Sequence, residues 1–462
     1  AYKLFVVSDC ACKNFGFSPL IRKSETRDGE MWSVSIQALA SNSSRSTMFN
    51  GKSFVLPSSL APQADTDVVC VKPKALIPTV GSGTRVFSSN LALLPPRGLV
   101  RTQWIVGPED AGASSDDGLN ILAIPFPYQF SDDEFDVKEL GMGPNEKPVR
   151  VFKLKQSWLD DDPFAKFLRD TGQMLAECSE KEKRIVHGVI LPELALNKLR
   201  FAEFAEFVKS QNPHLEFIVS GASENCESDP VEGNYVWVRR YIPQKSGQYT
   251  KSDDYIEVSQ SKHHRWNLSG SQIKGYALDY KGNNGLSEAS HWENFAGRPR
   301  ELNFVAYRRR SVFCSIVCED LARSEPCHDI IRAVGPNLLF ALLMDGPQIE
   351  QRWGAKYSSL FSDDHGCAVM TLSSLALVEL SQKTQPEDRI NHSVLYFKSP
   401  EMSEAKSVKT KEKGSGILLR LTPDRDRAGG EFRRRETIDG RLKDVVEWKL
   451  AEEPKVVGLD SA

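Results

Sequence analysis

Residues 185–221 run IVHGVILPELALNKLRFAEFAEFVKSQNPHLEFIVSG, and the order of textures in this stretch decides the fold class. Ile185 to Leu191 is a compact apolar run that closes at Pro192-Glu193, as a buried strand does. Leu194 to Gln211 then places Leu196, Leu199, Phe204 and Phe207 toward one side, the spacing of an amphipathic helix. Leu215 to Val219 is apolar again and stops at Ser220-Gly221. Strand, helix and strand in so short a span form the unit of an α/β domain, whose ligands gather beyond the strand ends. Glu193 stands at such an end.

The same rhythm extends in both directions. Upstream, Asn120 to Phe126 reads as a strand, and Pro163 to Cys178 as a helix with Asp162 as its N-cap. Downstream, Tyr235 to Ile242 and Tyr255 to Val258 read as paired strands. Asn303 to Tyr307, Ser311 to Val317, Leu338 to Met344 and Ala368 to Leu372 read as further strands, with helices at Asp329 to Val334 and Gln348 to Phe361. The runs at 185–191, 215–219, 312–317 and 338–344 are apolar throughout, so both faces of their sheets need cover. Residues 381 to 414 are polar and Lys-rich without interleaved aromatics, and read as a solvated loop. Gly416 to Leu421 and Val445 to Leu450 look like two more strands, flanking a charged stretch from Asp424 to Lys443.

Residues 1–107 have a different texture. Short alternating runs (Trp32 to Leu39, Ser53 to Leu56, Val68 to Val71, Val100 to Val106) are separated by Ser, Pro and Gly, which predicts a β-rich segment of unknown role. The polar stretch from Gly107 to Gly118 has the composition of a linker, so the main domain is placed at 118–452.

The composition excludes several classes. Of 462 residues, 40% are hydrophobic and 26% charged, ordinary for a soluble globular chain. No apolar run approaches the 18 or so residues of a spanning helix, so no membrane partner is expected. Lys and Arg number 59 against 62 Asp and Glu, a net charge of −3 that gives no indication of nucleic acid as a partner. The nine cysteines are scattered and show neither a disulfide framework nor paired Cys-x-x-Cys elements for zinc. No metal and no cofactor are implied, and a reducing, cytoplasmic location is expected. The first residues, Ala1 to Val7, lack the charged and apolar regions of a signal peptide.

Three residues lie at or just after strand ends: Glu193 in Val189-Ile190-Leu191-Pro192-Glu193, Lys262 in Ser261-Lys262-His263-His264-Arg265-Trp266, and Cys318 in Ile316-Val317-Cys318-Glu319-Asp320. A thiol nucleophile needs a base to take its proton, and a cation or amides to hold the oxyanion formed when it adds to a carbonyl. Glu, Lys and Cys supply these roles if they meet in one cleft. In this order and context the sequence resembles the nitrilase, or carbon–nitrogen hydrolase, superfamily over roughly residues 118 to 452. There a Glu within a Pro-Glu pair, a Lys opening a Lys-His-like motif and a Cys before an acidic pair form a catalytic triad. The resemblance implies a four-layer αββα sandwich preceded here by the β-rich segment. It also implies a thioester mechanism on a small-molecule amide or nitrile, with substrate-binding residues unknown, and self-association into a homo-oligomer, for which the Leu194 to Gln211 helix offers an apolar stripe. Many family members carry a second Glu soon after the Lys; here the counterpart is read as Gln272, a neutral substitute. Leu278 to Arg300 is read as an insertion that lengthens the Lys262–Cys318 interval.

Other patterns are weaker. Phe361-Ser362-Asp363-Asp364 and Phe130-Ser131-Asp132-Asp133 match the loose aromatic-x-Asp-Asp pattern of polymerase palms, but neither has an upstream Asp for a metal pair. Neighbouring His263 and His264 would face opposite ways on a strand, so they are read as a loop pair beside Lys262. Cys314 is read as packing. A second reading of function is a catalytically weak or inactive nitrilase-like domain serving as an assembly module in a larger antiviral defence protein, such as a defence-associated reverse transcriptase.

Overall fold

The computed structural model describes residues 100–106, 118–131, 133–141, 149–242, 255–278, 289–295, 297–308, 311–365, 367–400, 402–423 and 448–458, with short pieces before residue 100. Among those pieces Val69–Val71 pairs antiparallel with Leu91–Leu93. Trp32 to Leu39, most of Ser53 to Leu56, and the charged stretch from Asp424 to Lys443 lie outside the described residues.

Two large sheets carry the domain. In chain order the elements are β1 (Arg101–Val106), β2 (Leu119–Ala123), β3 (Phe135–Leu140), β4 (Val149–Leu154), α1 (Asp161–Glu180), β5 (Gly188–Ile190), α2 (Lys198–Gln211), β6 (Phe217–Glu224), β7 (Glu232–Tyr241) and β8 (Tyr255–Ser261). They continue with β9 (Asn267–Leu268), α3 (Gly270–Gly275), β10 (His291–Glu293), β11 (Glu301–Tyr307), β12 (Ser311–Val317), α4 (Glu319–Ala322), α5 (Asp329–Val334) and β13 (Leu338–Leu343). The last are α6 (Trp353–His365), β14 (Ala368–Ser373), α7 (Leu375–Gln382), β15 (Ser393–Lys398), β16 (Lys406–Lys409), β17 (Gly416–Pro423), β18 (Trp448–Leu450) and β19 (Lys455–Val457).

One sheet has the order β8-β7-β6-β5-β2-β17-β18, with β19 also on β17; the other runs β16-β15-β14-β13-β12-β11-β1. Their inner faces interlock through rings: Phe217 of β6 lies 5.0 Å from Phe313 of β12 and 6.2 Å from Phe340 of β13, centroid to centroid. Helices α1 and α2 cover the first sheet, where Phe201 packs on Trp237 and Phe167 stacks on Phe204. Helices α5 and α6 cover the second, where buried Phe361 meets the His328 ring. The strands buried on both faces (β5, β12, β13, β14) are the ones whose sequences are apolar throughout. The fold is the expected α/β sandwich. Among the described residues no helix is long and apolar enough to cross a membrane.

A buried ion pair joins the sheets. Arg308, after β11, donates from Nε and Nη2 to both oxygens of Glu216, before β6, at 2.6 to 3.1 Å.

Several elements depart from the sequence reading. Helix α2 starts at Lys198 because Asn197 caps it, its side chain accepting from the Arg200 N–H. Leu194 instead sits at a φ of 52° in a turn, and Leu196 bridges to Ala222. The helix spends Phe201, Phe204, Ala205 and Val208 on its own core, leaving Leu199 69% exposed, so most of the apolar stripe faces inward. Helix α1 begins at Asp161, which puts Asp162 inside the first turn where it complements the helix dipole. Helix α6 begins at Trp353, later than the sequence spacing predicts. The 381–414 segment contains buried β15 paired with β16, completing the second sheet at one edge. Strand β1 completes the other edge in a six-residue parallel register with β11. The boundary expected at 107 therefore separates that strand from the sheet it closes.

Candidate active site

Glu193, Lys262 and Cys318 come from three strand ends on the two sheets. Pro192-Glu193 follows β5 and is pressed against β6 at Gly221, whose N–H donates to the Pro192 carbonyl at 3.0 Å. A Cβ at Gly221 would lie 2.4 to 2.5 Å from the backbone of Pro192, Glu193 and Leu194, so only glycine admits this approach. Lys262 follows β8, and its N–H donates to the Asn234 carbonyl at 2.7 Å. Cys318 follows β12 with φ 39° and ψ −107°, outside the regions a side-chain-bearing residue prefers. Its N–H donates to the Leu342 carbonyl at 2.9 Å, which fixes the elbow against β13. Strain held in this way by surrounding structure is a feature of functional positions.

The Lys262 ammonium is the hub. It donates to Glu193 Oε1 at 2.8 Å and to Glu293 Oε2 at 2.7 Å, with all three side chains buried. Asn234 joins the same two carboxylates, its Nδ2 donating to Glu193 Oε1 at 2.8 Å and to Glu293 Oε1 at 2.6 Å. Glu293 also accepts from the Trp266 N–H at 3.0 Å through Oε2. Glu193 Oε2, by contrast, is buried without a hydrogen-bond partner.

Glu293 is therefore the second carboxylate on the lysine, and the expectation that Gln272 stands in its place is corrected. Gln272 caps α3, its side chain bonded to Ser269. Nor is the whole of Leu278 to Arg300 an insertion without structural role. Within it β10 pairs with β4 and β9, and that pairing delivers Glu293 to Lys262.

The electrostatics follow from burial and proximity. Burial raises the Glu193 pKa, with the Glu293 charge adding to it and Lys262 opposing. For Lys262 burial works against the charge, but Glu193 and Glu293 outweigh it and hold the amine well above its ordinary value. Cys318, an electrostatic neighbour of both Glu193 and Lys262, is pushed well above 9.0 by burial and then by Glu193, against the pull of Lys262. At neutral pH this is a thiol beside a charged ammonium, with an unpartnered carboxylate oxygen at hand.

The residues after Lys262 tie its loop to the cysteine elbow. Asp320 Oδ2 accepts from the His263 N–H at 2.9 Å, and Oδ1 accepts from the His264 N–H at 3.0 Å. His264 Nδ1 lies 2.8 Å from the same Oδ1. His263 Nδ1 meets the buried Cys327 sulfur at 3.2 Å. The histidines are a loop pair beside Lys262, and Cys314 is core packing. Among the described residues no group of three or more His, Cys, Asp or Glu side chains is placed to hold a metal ion.

A cleft of about 40 Å³ adjoins the network, lined by Phe152, Leu154, Glu193, Trp266, Glu293 and Met344 among others. A water needs at least roughly 10–15 Å³ of such space, so the cleft holds no more than a few waters. Cys318, 5% exposed, is not among the residues that line it. Phe152, Trp266 and Met344 give the cleft an apolar wall beside its carboxylates.

The domain is thus an α/β sandwich with a buried Glu-Lys-Glu network beside a strained cysteine. No family model matches the chain, and no curated protein matches it. Among solved structures it is similar to an amidase from Nesterenkonia sp. (11% identity, 66% of this chain, 90% of that chain, TM-score 0.36). It is also similar to a CN-hydrolase superfamily protein from Xanthomonas campestris with an arsenic adduct in its active site (11% identity, 66% of this chain, 90% of that chain, TM-score 0.35). A third is a glutamine-dependent NAD+ synthetase from Acinetobacter baumannii (10% identity, 67% of this chain, 46% of that chain, TM-score 0.35).

Proposed function

We propose that this chain is a carbon–nitrogen hydrolase that cleaves a small amide or nitrile through a thioester on Cys318. The observation that carries the reading is the Lys262 ammonium held between Glu193 and Glu293 next to the strained Cys318. Glu193 Oε2, the oxygen without a partner, takes the thiol proton as the sulfur adds to the amide carbon. The oxyanion that forms is held by the Lys262 ammonium and the backbone N–H of Glu319. Glu193 passes the proton to the departing amine, leaving a thioester, and then takes a proton from the water that hydrolyses it. Glu293 and Asn234 touch no reacting atom and act by positioning: they fix the lysine and Glu193 Oε1, so that only Oε2 is free to move a proton.

The burial of Cys318, a residue 5% exposed and outside the lining of the narrow cleft, favours a second reading, a catalytically silent assembly module. Incubation with a panel of small amides and nitriles, followed by intact-mass measurement and peptide mapping, separates the two. An acyl adduct on Cys318, absent from Cys318→Ala, is the expected result. No adduct with any member of the panel, together with unreactive Cys318 toward iodoacetamide, supports the module.

A further inference from the structure

A second cavity, of about 330 Å³, lies beyond the aromatic wall of the cleft. Trp266 lines the cleft, and its ring meets that of Tyr276 edge-on at 6.1 Å; Tyr276 lines the second cavity. This cavity has a charge sign. Arg352 and Arg389 are among its lining residues, and no Asp or Glu is. The acid nearest to Arg352, Asp345, is already engaged: it accepts from Arg352 Nη2 at 2.5 Å and from the Tyr276 hydroxyl. The Arg352 side chain is 31% exposed, while its Nε is buried away from the cavity. Arg389, at the end of the short turn Glu387–Arg389, is exposed, and its guanidinium has no partner among the described residues. Gln272 spends its Oε1 on Ser269, leaving its amide N–H groups for the cavity.

We propose that this cavity binds a small organic molecule through a carboxylate or phosphate group, held between the guanidinium groups of Arg389 and Arg352. Arginine's fork of donors matches either oxyanion. The volume is at the lower end of the roughly 300–1,000 Å³ of small-molecule pockets, so the anionic group is one end of a larger ligand. The remaining wall, with Gln382, Gln385 and Asn391, supplies polar contacts for the rest of it. The site is separate from the cleft beside Glu193 and does not depend on the hydrolytic reading.

Isothermal titration calorimetry at low ionic strength with succinate and with inorganic phosphate tests it. Saturable binding at millimolar concentration or tighter is expected for at least one probe, and the preferred probe tells a carboxylate ligand from a phosphate ligand. Arg389→Gln, at an exposed position that leaves the fold intact, should weaken binding at least about tenfold, which is ~1.4 kcal/mol. Arg352→Lys keeps the charge opposite Asp345 but loses the fork, and should weaken binding as well. Absence of saturable heat with both probes, or undiminished binding in Arg389→Gln, overturns the proposal. Because heat of binding is the readout, Cys318→Ala protein serves equally, and failure here leaves the assignment of the cysteine site untouched.

Discussion

Two isosteric substitutions at the partners of one lysine should have unequal consequences. Glu193→Gln and Glu293→Gln each remove one carboxylate charge from the Lys262 ammonium, at 2.8 Å and 2.7 Å respectively. Their hydrogen bonds differ. Both bonds to Glu193 fall on Oε1, so a glutamine oriented with its oxygen there keeps both and puts its amide nitrogen where Oε2 has no partner. Both oxygens of Glu293 accept from donors, Oε1 from Asn234 and Oε2 from Lys262 and the Trp266 N–H. A glutamine replacing Glu293 therefore sets a donor against a donor in either orientation of its amide.

Protonation adds to the difference. A carboxyl whose pKa is raised in the folded state has a stabilising contribution that is present below its unfolded pKa and lost as pH rises through the folded one. The raised Glu193 pKa lessens what a neutral glutamine costs there, although the Lys262 ammonium still loses one of its two carboxylates. Glu193→Gln, which keeps both bonds at Oε1, should thus cost less than Glu293→Gln while forming no acyl adduct. Glu293→Gln loses a charge partner and at least one buried hydrogen bond. Breaking a buried ion pair costs ~3–5 kcal/mol; with Glu193 retained, the low end, about 3 kcal/mol, applies. At ~1–2 °C per kcal/mol for a domain well above ~250 residues, its melting temperature should fall by ~3–6 °C. Thermal unfolding and adduct formation, measured on both variants, decide the matter. Equal destabilisation by the two substitutions, or Glu293→Gln matching the parent, would refute the assignment of these bonds.

Three further outcomes follow from the same geometry. Because the Cys318 pKa stands well above 9.0, through burial first, its alkylation by iodoacetamide should keep rising through pH 9; a plateau below pH 8 would mean a resting thiolate and a different base. Arg308→Met should cost ~3–5 kcal/mol by stranding Glu216 between the sheets, and adding Glu216→Leu should recover most of it in denaturant titrations. Asp320→Asn keeps one acceptor but sets an amide against the His263 or His264 N–H, so a loss of ~1–3 kcal/mol is expected, with slower Cys318 labelling as the loop carrying Lys262 loosens.

Much of the fold was legible because its strands are buried on both faces. A run such as Leu338 to Leu343 has nowhere to go but the middle of a covered sheet, and its apolar letters say so. Edges are harder to read. Strand β15 is buried, yet it lies in a segment whose Lys, Glu and Gln residues belong to the turns around it, and averaged composition hid it. Strand β1 pairs with β11 across some two hundred residues of chain, a relation no local pattern carries. The start of α2 is set by its cap. Asn197 carried the signal for α2, but the apolar spacing running back to Leu194 outweighed it.

The candidate site divides along the same line. Glu193, Lys262 and Cys318 each end a strand whose texture is unmistakable, and that location made them visible. Glu293 ends a three-residue strand in a stretch rich in Gly, Asn and Ser, with a conspicuously exposed Trp292 beside it. Nothing in the spacing from Lys262 marks it. The lysine itself held the missing information: an ammonium sealed from water beside one carboxylate has donors left over, and burial makes an unmatched donor expensive. A buried lysine at a strand end thus requires further acceptors, and His291-Trp292-Glu293, with polar neighbours and an alternating pattern, was a segment in the lengthened Lys262–Cys318 interval able to supply one. Counting the donors of the hub, rather than counting residues along the chain, is the step that leads from Lys262 to Glu293.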